Sequence, residues 1–261
     1  MNLDIENRTA LVLGGGGGLG RATAISLARE GVRVAIADID AKALDATAAE
    51  IAASGGNSMS LVWNLAELDS IGAHLASVES ELGPVDILVN ITGGPPPTSI
   101  FGQETQLWES SFRSMVLSVI KIADRVVPGM CERKWGRVIT STSSGVIAPI
   151  PNLGLSNTLR SSLIGWSKTL ATEVAGDGVT SNIVVPGRIG TQRIQFLDES
   201  KASKEGRSVS EVVAESVASI PARRYGNPEE YGAAITFLAS EHAAYITGTT
   251  VRVDGGYIPS V

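Results

Sequence analysis

The stretch Thr9-Ala-Leu-Val-Leu-Gly-Gly-Gly-Gly-Gly-Leu-Gly20 constrains this chain most. An apolar run stops at glycines, and a helix-like pattern, Leu19–Arg29, begins at once, so the segment reads as strand, glycine turn, helix. Glycine lacks the Cβ that would hold a phosphate away from the backbone. The helix that follows presents free N–H groups and the positive end of its dipole. Consecutive glycines satisfy several spacings at once, so context has to carry the reading. Asp38 closes the next apolar run about 20 residues on, the arrangement of a dinucleotide-binding βαβ unit. Arg21 follows Gly20 where a phosphate-transfer loop would have Lys and Ser or Thr, which argues against that class.

The rest of the chain repeats the opening pattern. Strand-like runs fall at Thr9–Leu13, Val32–Ala37, Met59–Trp63, Val85–Asn90, Arg137–Ser141, Thr180–Val185 and Thr249–Val253. Each is apolar nearly throughout, as expected of parallel strands covered on both faces. Helical patterns lie between them at Ala41–Ala53, Glu67–Leu82, Thr105–Arg133, Leu153–Ala175 and Pro228–Ser240. The alternation predicts an α/β fold, a single Rossmann-like doubly wound parallel sheet of about seven strands with helices on both faces. One domain over residues 1–261 is expected, since no linker or composition break divides it. Residues 192–221 are polar, with a helical pattern near Ser208–Ala218. They read equally as a surface helix pair and as a lid over the strand ends.

Composition narrows the function classes. Net charge is −6 and no basic run occurs, which argues against nucleic acid and anionic membrane as partners. A single Cys131 excludes an intramolecular disulfide, and His74 and His242 are too few and too far apart for a histidine metal cluster. His74 is expected on a solvated helix face, and Cys131 in a buried structural role. The acidic opening Met-Asn-Leu-Asp-Ile-Glu has no long apolar core, and no stretch is long enough to span a bilayer. A soluble, cytoplasmic protein acting on a small molecule is expected.

Ligands of such sheets bind outside the C-terminal strand ends. Asp38, after the second strand, can accept both ribose hydroxyls of an adenosine and would repel a 2′-phosphate, so NAD is favoured over NADP; its other reading is a helix N-cap. Asn64 and Leu65 follow the third strand and suit an adenine. Asn90-Ile-Thr-Gly93, Ser141-Thr-Ser-Ser144 and Pro186-Gly-Arg-Ile-Gly-Thr191 follow the later strands.

These motifs resemble the short-chain dehydrogenase/reductase family, in particular its 3-oxoacyl-carrier-protein-reductase-like members, over nearly the whole chain. Leu13-Gly14, Gly18, Leu19 and Gly20 fit the pattern TGxxxGxG with Leu for Thr. Asn90-Ile-Thr-Gly93 fits NNAG with two substitutions. Pro186, Gly187, Ile189 and Thr191 fit the segment that cradles the nicotinamide in the family, and Val253-Asp-Gly-Gly256 fits its C-terminal signature. The resemblance implies a homodimer or homotetramer, paired through the long helices.

It also implies a catalytic set of Ser, Tyr, Lys and Asn, and here the chain departs from it. Ungapped matching places the serine at Ser143, but Ser156 where the Tyr belongs, Arg160 where the Lys belongs and Met115 at the Asn position. A serine hydroxyl is a far poorer proton shuttle than a phenol of pKa about 10. Arg160 keeps the positive charge and can contact ribose or an oxyanion, but does not give up its proton. Three readings follow: an atypical NAD(H)-dependent oxidoreductase interconverting a carbonyl and an alcohol on a small, largely apolar substrate, a binding module that senses NAD(H) or a metabolite without turnover, and a non-catalytic partner subunit.

Overall fold

The computed structural model describes residues 2–260. Seven parallel strands form one sheet in the order β3-β2-β1-β4-β5-β6-β7. They are β1 (Thr9–Leu13), β2 (Arg33–Asp38), β3 (Ser58–Val62), β4 (Ile87–Asn90), β5 (Gly136–Ser141), β6 (Val179–Pro186) and β7 (Thr250–Val253). The strand order reverses between β1 and β4, whose register pairs Ala10 with Ile87 and Val12 with Val89.

Alternate side chains of each strand feed different cores. Ala10 and Val12 of β1, with Val34 and Ile36 of β2, pack under α1 (Gly18–Arg29), α2 (Ala41–Ala53) and α9 (Pro228–Ala239). Leu11, Leu13, Ala35 and Ala37 point the other way, toward α3 (Ile71–Leu82) and α5 (Ser118–Glu132). Both faces are therefore apolar, and each fully buried Leu or Ile contributes about 1.5–3 kcal/mol. The helix α6 (Gly154–Val174) closes the second face with α4 (Thr105–Phe112), and Leu159 and Leu163 meet Met115, Val116 and Val119.

The single helix expected over Thr105–Arg133 is divided. A widened, π-type turn at Arg113–Leu117 separates α4 from α5, and Ser118 Oγ donates back to the Ser114 carbonyl across it. The polar segment after β6 holds two helices, α7 (Gln192–Glu205) and α8 (Val209–Ser219), as its helix-pair reading has it, though the sequence pattern located only the second. His74 is half-buried rather than solvated, and stacks on Trp63 with ring centroids 4.5 Å apart. Burial lowers its pKa from the ordinary value, partly offset by Glu67. Cys131 is only half-buried, near the end of α5. Among the described residues, no helix is long and apolar enough to cross a membrane.

Candidate functional site

A cavity of about 770 Å³ opens at the C-terminal ends of the strands, where the order reverses. Its first half is built by glycine geometry. Gly14 has φ +70°, and a Cβ there would sit 2.4 Å from the Ile91 carbonyl oxygen. A Cβ on Gly20 would meet the Gly14 carbonyl oxygen at 1.9 Å, so glycine lets α1 close against the turn. Gly17, extended at φ −156°, stands at the N-cap of α1 without a side-chain cap. The first N–H groups of α1 thus face the cavity with the helix's positive end.

Asp38 is half-buried on the same wall. Its Oδ2 accepts the Gly16 N–H and its Oδ1 the Asp40 N–H, each at 3.2 Å. The N-cap of α2 is Asp40, which accepts the N–H groups of Lys42 and Ala43, so capping does not explain Asp38. Gly14, Gly18, Leu19, Asn64 and Leu65 line this half, and Gly93, Pro186, Gly187, Ile189 and Thr191 continue the wall toward the other end. Gly20 and Asn90 lie beneath the wall instead. Asn90 is fully buried and donates to Thr140 Oγ1 at 3.0 Å, tying β4 to β5, while its Oδ1 has no partner among the described residues. A glycine cradle, an uncapped helix start and a carboxylate at the second strand end fit a dinucleotide.

The second half holds Ser143, Ser156 and Arg160 together on one wall. Ser143 caps a 3₁₀ turn at Ser144–Val146 and accepts the Gly145 N–H at 3.1 Å, which leaves its own O–H to donate. Ser156 and Arg160 are one turn apart on α6, and both are buried. Arg160 Nη2 donates to the carbonyls of Thr92 and Gly93, each at 3.0 Å. Its Nη1 lies at 3.4 Å from Thr92 Oγ1 and 3.5 Å from the Ser141 carbonyl. Burial, then the positive charge of Arg193, lowers its pKa to about 10, so it is a cation at neutral pH. Met115 sits in the widened turn, lines the cavity and is 2% exposed.

Sequence reasoning missed three features. Arg193, at the start of α7, lines the cavity and donates to the Pro95 carbonyl at 3.0 Å. Behind it, buried Asp198 accepts Arg188 Nη1 and the Tyr225 hydroxyl, each at 2.7 Å, fastening α7 to the loop after β6. Tyr231 of α9 is fully buried and donates to Ser141 Oγ at 2.7 Å; burial raises its pKa above the ordinary value. None of these pairs is close in sequence, and only the folded chain brings them together.

The fold and cavity define a Rossmann-type protein with a dinucleotide-shaped cleft. A family model described as Enoyl-(Acyl carrier protein) reductase matches residues 15–258. The 3-oxoacyl-[acyl-carrier-protein] reductase FabG of Escherichia coli strain K12 is 34% identical over 256 residues, covering 97% of this chain and 98% of the relative. L-sorbose reductase from Gluconobacter frateurii, solved with NADPH and L-sorbose, superposes with a TM-score of 0.94 at 27% identity and full coverage (100%) of both chains. YwfH, described as an NADPH dependent reductase involved in bacilysin biosynthesis, gives 0.92 at 26% identity, covering 97% of this chain and 99% of that one. The chain belongs to the short-chain dehydrogenase/reductase family.

Proposed function

We propose that this chain is an NAD(H)-dependent oxidoreductase that interconverts a carbonyl and an alcohol on a small substrate with a largely apolar body. The observation that carries the reading is one continuous cavity running from the glycine turn and Asp38 to Ser143, Ser156 and Arg160. Bound there, the dinucleotide supplies or accepts the hydride. Ser143 donates its hydroxyl to the substrate oxygen, because its acceptor side already takes the Gly145 N–H. Arg160 adds fixed positive charge beside the developing oxyanion. Ser156 orders a water that brings the proton, since a serine hydroxyl is too weak an acid to release one itself. Pro95, Ile150, Leu153 and Leu197 supply the apolar wall, and the start of α7 closes over it as a lid.

The NADPH of the two solved relatives is theirs. Here the residues that would meet a 2′-phosphate are Asp38, Ile39 and Asp40, with no cation among them, which supports NAD. Pairing through α5 and α6 into a dimer or tetramer is part of the same reading, and light scattering tests it.

A second reading, a pseudoenzyme that binds NAD(H) or a metabolite or serves as a non-catalytic partner subunit, is favoured by one observation. Both Nη2 protons of Arg160 go to backbone carbonyls. Calorimetric titration with NADH and NADPH, followed by NADH oxidation over a carbonyl panel, separates the two. Binding with turnover supports the enzyme, whereas binding without turnover in both the native chain and the Ser156→Tyr/Arg160→Lys double variant supports the pseudoenzyme. Absence of binding by either dinucleotide overturns the NAD(H)-dependent reading outright.

A further inference from the structure

The substrate end of the cavity carries two cations that no carboxylate among the described residues balances. Arg160 comes from its floor and is 7% exposed; Arg193 comes from the lid side and is exposed toward the opening. A Cβ placed on Gly94 would lie 3.4 Å from Arg193 Nη2 and 3.7 Å from Arg160 Nη2, so the two guanidinium tips flank the same glycine. Their hydrogen-bond acceptors among the described residues are the carbonyls of Thr92, Gly93, Ser141 and Pro95 and one hydroxyl, all neutral. The third arginine on the cavity wall, Arg188, is paired with Asp198. Among the described residues Asp38 is the one acidic residue on the wall, and it stands at the adenosine end. Thr142, also on the wall, keeps a buried hydroxyl with no partner among the described residues.

Two like charges facing one gap repel, and burial of one of them makes the repulsion cost more. Beyond burial, the larger cause, the positive charge of Arg193 lowers the affinity of Arg160 for its proton. An anion placed between them removes the penalty; Arg193 offers it planar donors suited to a carboxylate, and Arg160, whose Nη2 protons go to the Thr92 and Gly93 carbonyls, contributes its charge. A neutral ligand leaves it in place.

Resting on the oxidoreductase reading above, we propose that the substrate is an oxo acid whose carboxylate is held between Arg160 and Arg193 while its apolar body lies along Pro95, Ile150, Leu153 and Leu197. The carboxylate is thus the specificity handle, and Arg193 is the residue that reads it. Arg160 is shared between this role and the reacting centre.

The probe is 4-methyl-2-oxopentanoate, compared with its methyl ester and with the neutral ketone 4-methyl-2-pentanone. Each is titrated into the native chain and into Arg193→Gln, with and without NADH, and NADH itself is titrated into both proteins. Expected are binding of the acid well above that of the ester and ketone, and a loss of roughly 10- to 100-fold for the acid alone in Arg193→Gln, the scale of one charged hydrogen bond. The affinity for NADH and the melting temperature stay unchanged in that variant. Equal binding of acid and ester overturns the proposal, as does an equal loss for all three ligands. A loss of NADH affinity in Arg193→Gln overturns it in a different way, by assigning Arg193 to the pyrophosphate of the dinucleotide. Acid binding without NADH binding leaves the anion site standing and refutes the oxidoreductase reading instead. Turnover of the neutral ketone as fast as the acid does the opposite.

Discussion

Replacing Asp38 by Asn tests the cofactor half of the site with little change of shape. The side chain is half-buried and already accepts two backbone N–H groups at 3.2 Å, one on each oxygen, so the amide keeps one of these hydrogen bonds and gives up the other. The larger change is the loss of charge. A hydrogen bond from a ribose hydroxyl to a carboxylate contributes about 1.5–3 kcal/mol, and partial exposure puts this one at the lower end, so NADH affinity should fall roughly tenfold. A 2′-phosphate near Asp38 meets like charge. At about 4 Å, each unit pair costs from about 1 kcal/mol in water to about 4 near a protein surface. Taking the low end for a doubly charged phosphate, removing the carboxylate strengthens NADPH binding by about 2 kcal/mol, or some thirtyfold. The NADH to NADPH affinity ratio therefore collapses by about two orders of magnitude in Asp38→Asn. Calorimetry at low salt and at about 0.15 M, where the repulsive part is screened, measures it. The reasoning fails if native protein binds NADPH more tightly than NADH. It fails equally if Asp38→Asn shifts both affinities by one common factor.

The glycine turn separates packing from access. Gly20→Ala puts a Cβ 1.9 Å from the Gly14 carbonyl oxygen and should lower the melting temperature sharply or abolish folding. Gly17→Ala, extended and with no atom near its Cβ, should stay within about 0.5 kcal/mol of the native stability in denaturant titration. Tyr231→Phe removes a buried hydrogen bond to Ser141 Oγ and should cost about 1–2 kcal/mol, a drop of some 3–6 °C by calorimetry. Glu230 is held down to about 2 from the ordinary 4.5, first by Arg224 and then by the Asn227 N–H. A depressed carboxyl stabilises the fold above its unfolded value and loses that contribution as pH falls from about 4.5 toward 2. Glu230→Gln should therefore flatten the acid limb of melting temperature against pH in that window, while an unchanged limb would show that Glu230 plays no part.

The sheet was legible because parallel strands buried on both faces are written as apolar runs. The bounds of β1 and α2 follow from the sequence, and the other strands begin or end within two residues of their expected positions. No glycine or proline falls within Arg113–Leu117, so the sequence carried no breaker to mark the widened turn. The start of the polar segment after β6 was illegible for another reason. The sequence of α7 has no apolar stripe, and its buried residues are Asp198 and Ala202, so an ion pair rather than hydrophobic burial anchors it. His74 reads as a surface residue until Trp63 is brought beside it by the β3–α3 packing. The glycine turn of the cavity could be read since glycine identity itself encodes it. The pairing of Arg160 with Arg193 could not, because their positions in the sequence say nothing of a shared neighbour in Gly94.

An arginine at position 160, where the family resemblance implies a lysine, differs from a lysine in what it can do. A lysine ammonium is a point charge that titrates readily, whereas a guanidinium offers five fixed donors and holds its proton. Here those donors clamp Thr92, Gly93 and Ser141, so the residue ties the loop after β4, the end of β5 and the helix α6 into one rigid wall. With a pKa lowered to about 10, it remains charged through the physiological range. Ser143 and Ser156 do not titrate there either, and among the described residues the cavity wall contains no histidine or cysteine. A reaction run by these groups draws its proton from water held by hydroxyls. Its kcat/KM for carbonyl reduction, measured on whichever substrate the panel selects, should then vary by no more than about twofold between pH 6 and 8.5 after correction for the substrate's own ionisation. A bell or step centred in that range would mean that a titrating acid reaches the substrate after all, and the proton route through Ser156 and water would have to be abandoned.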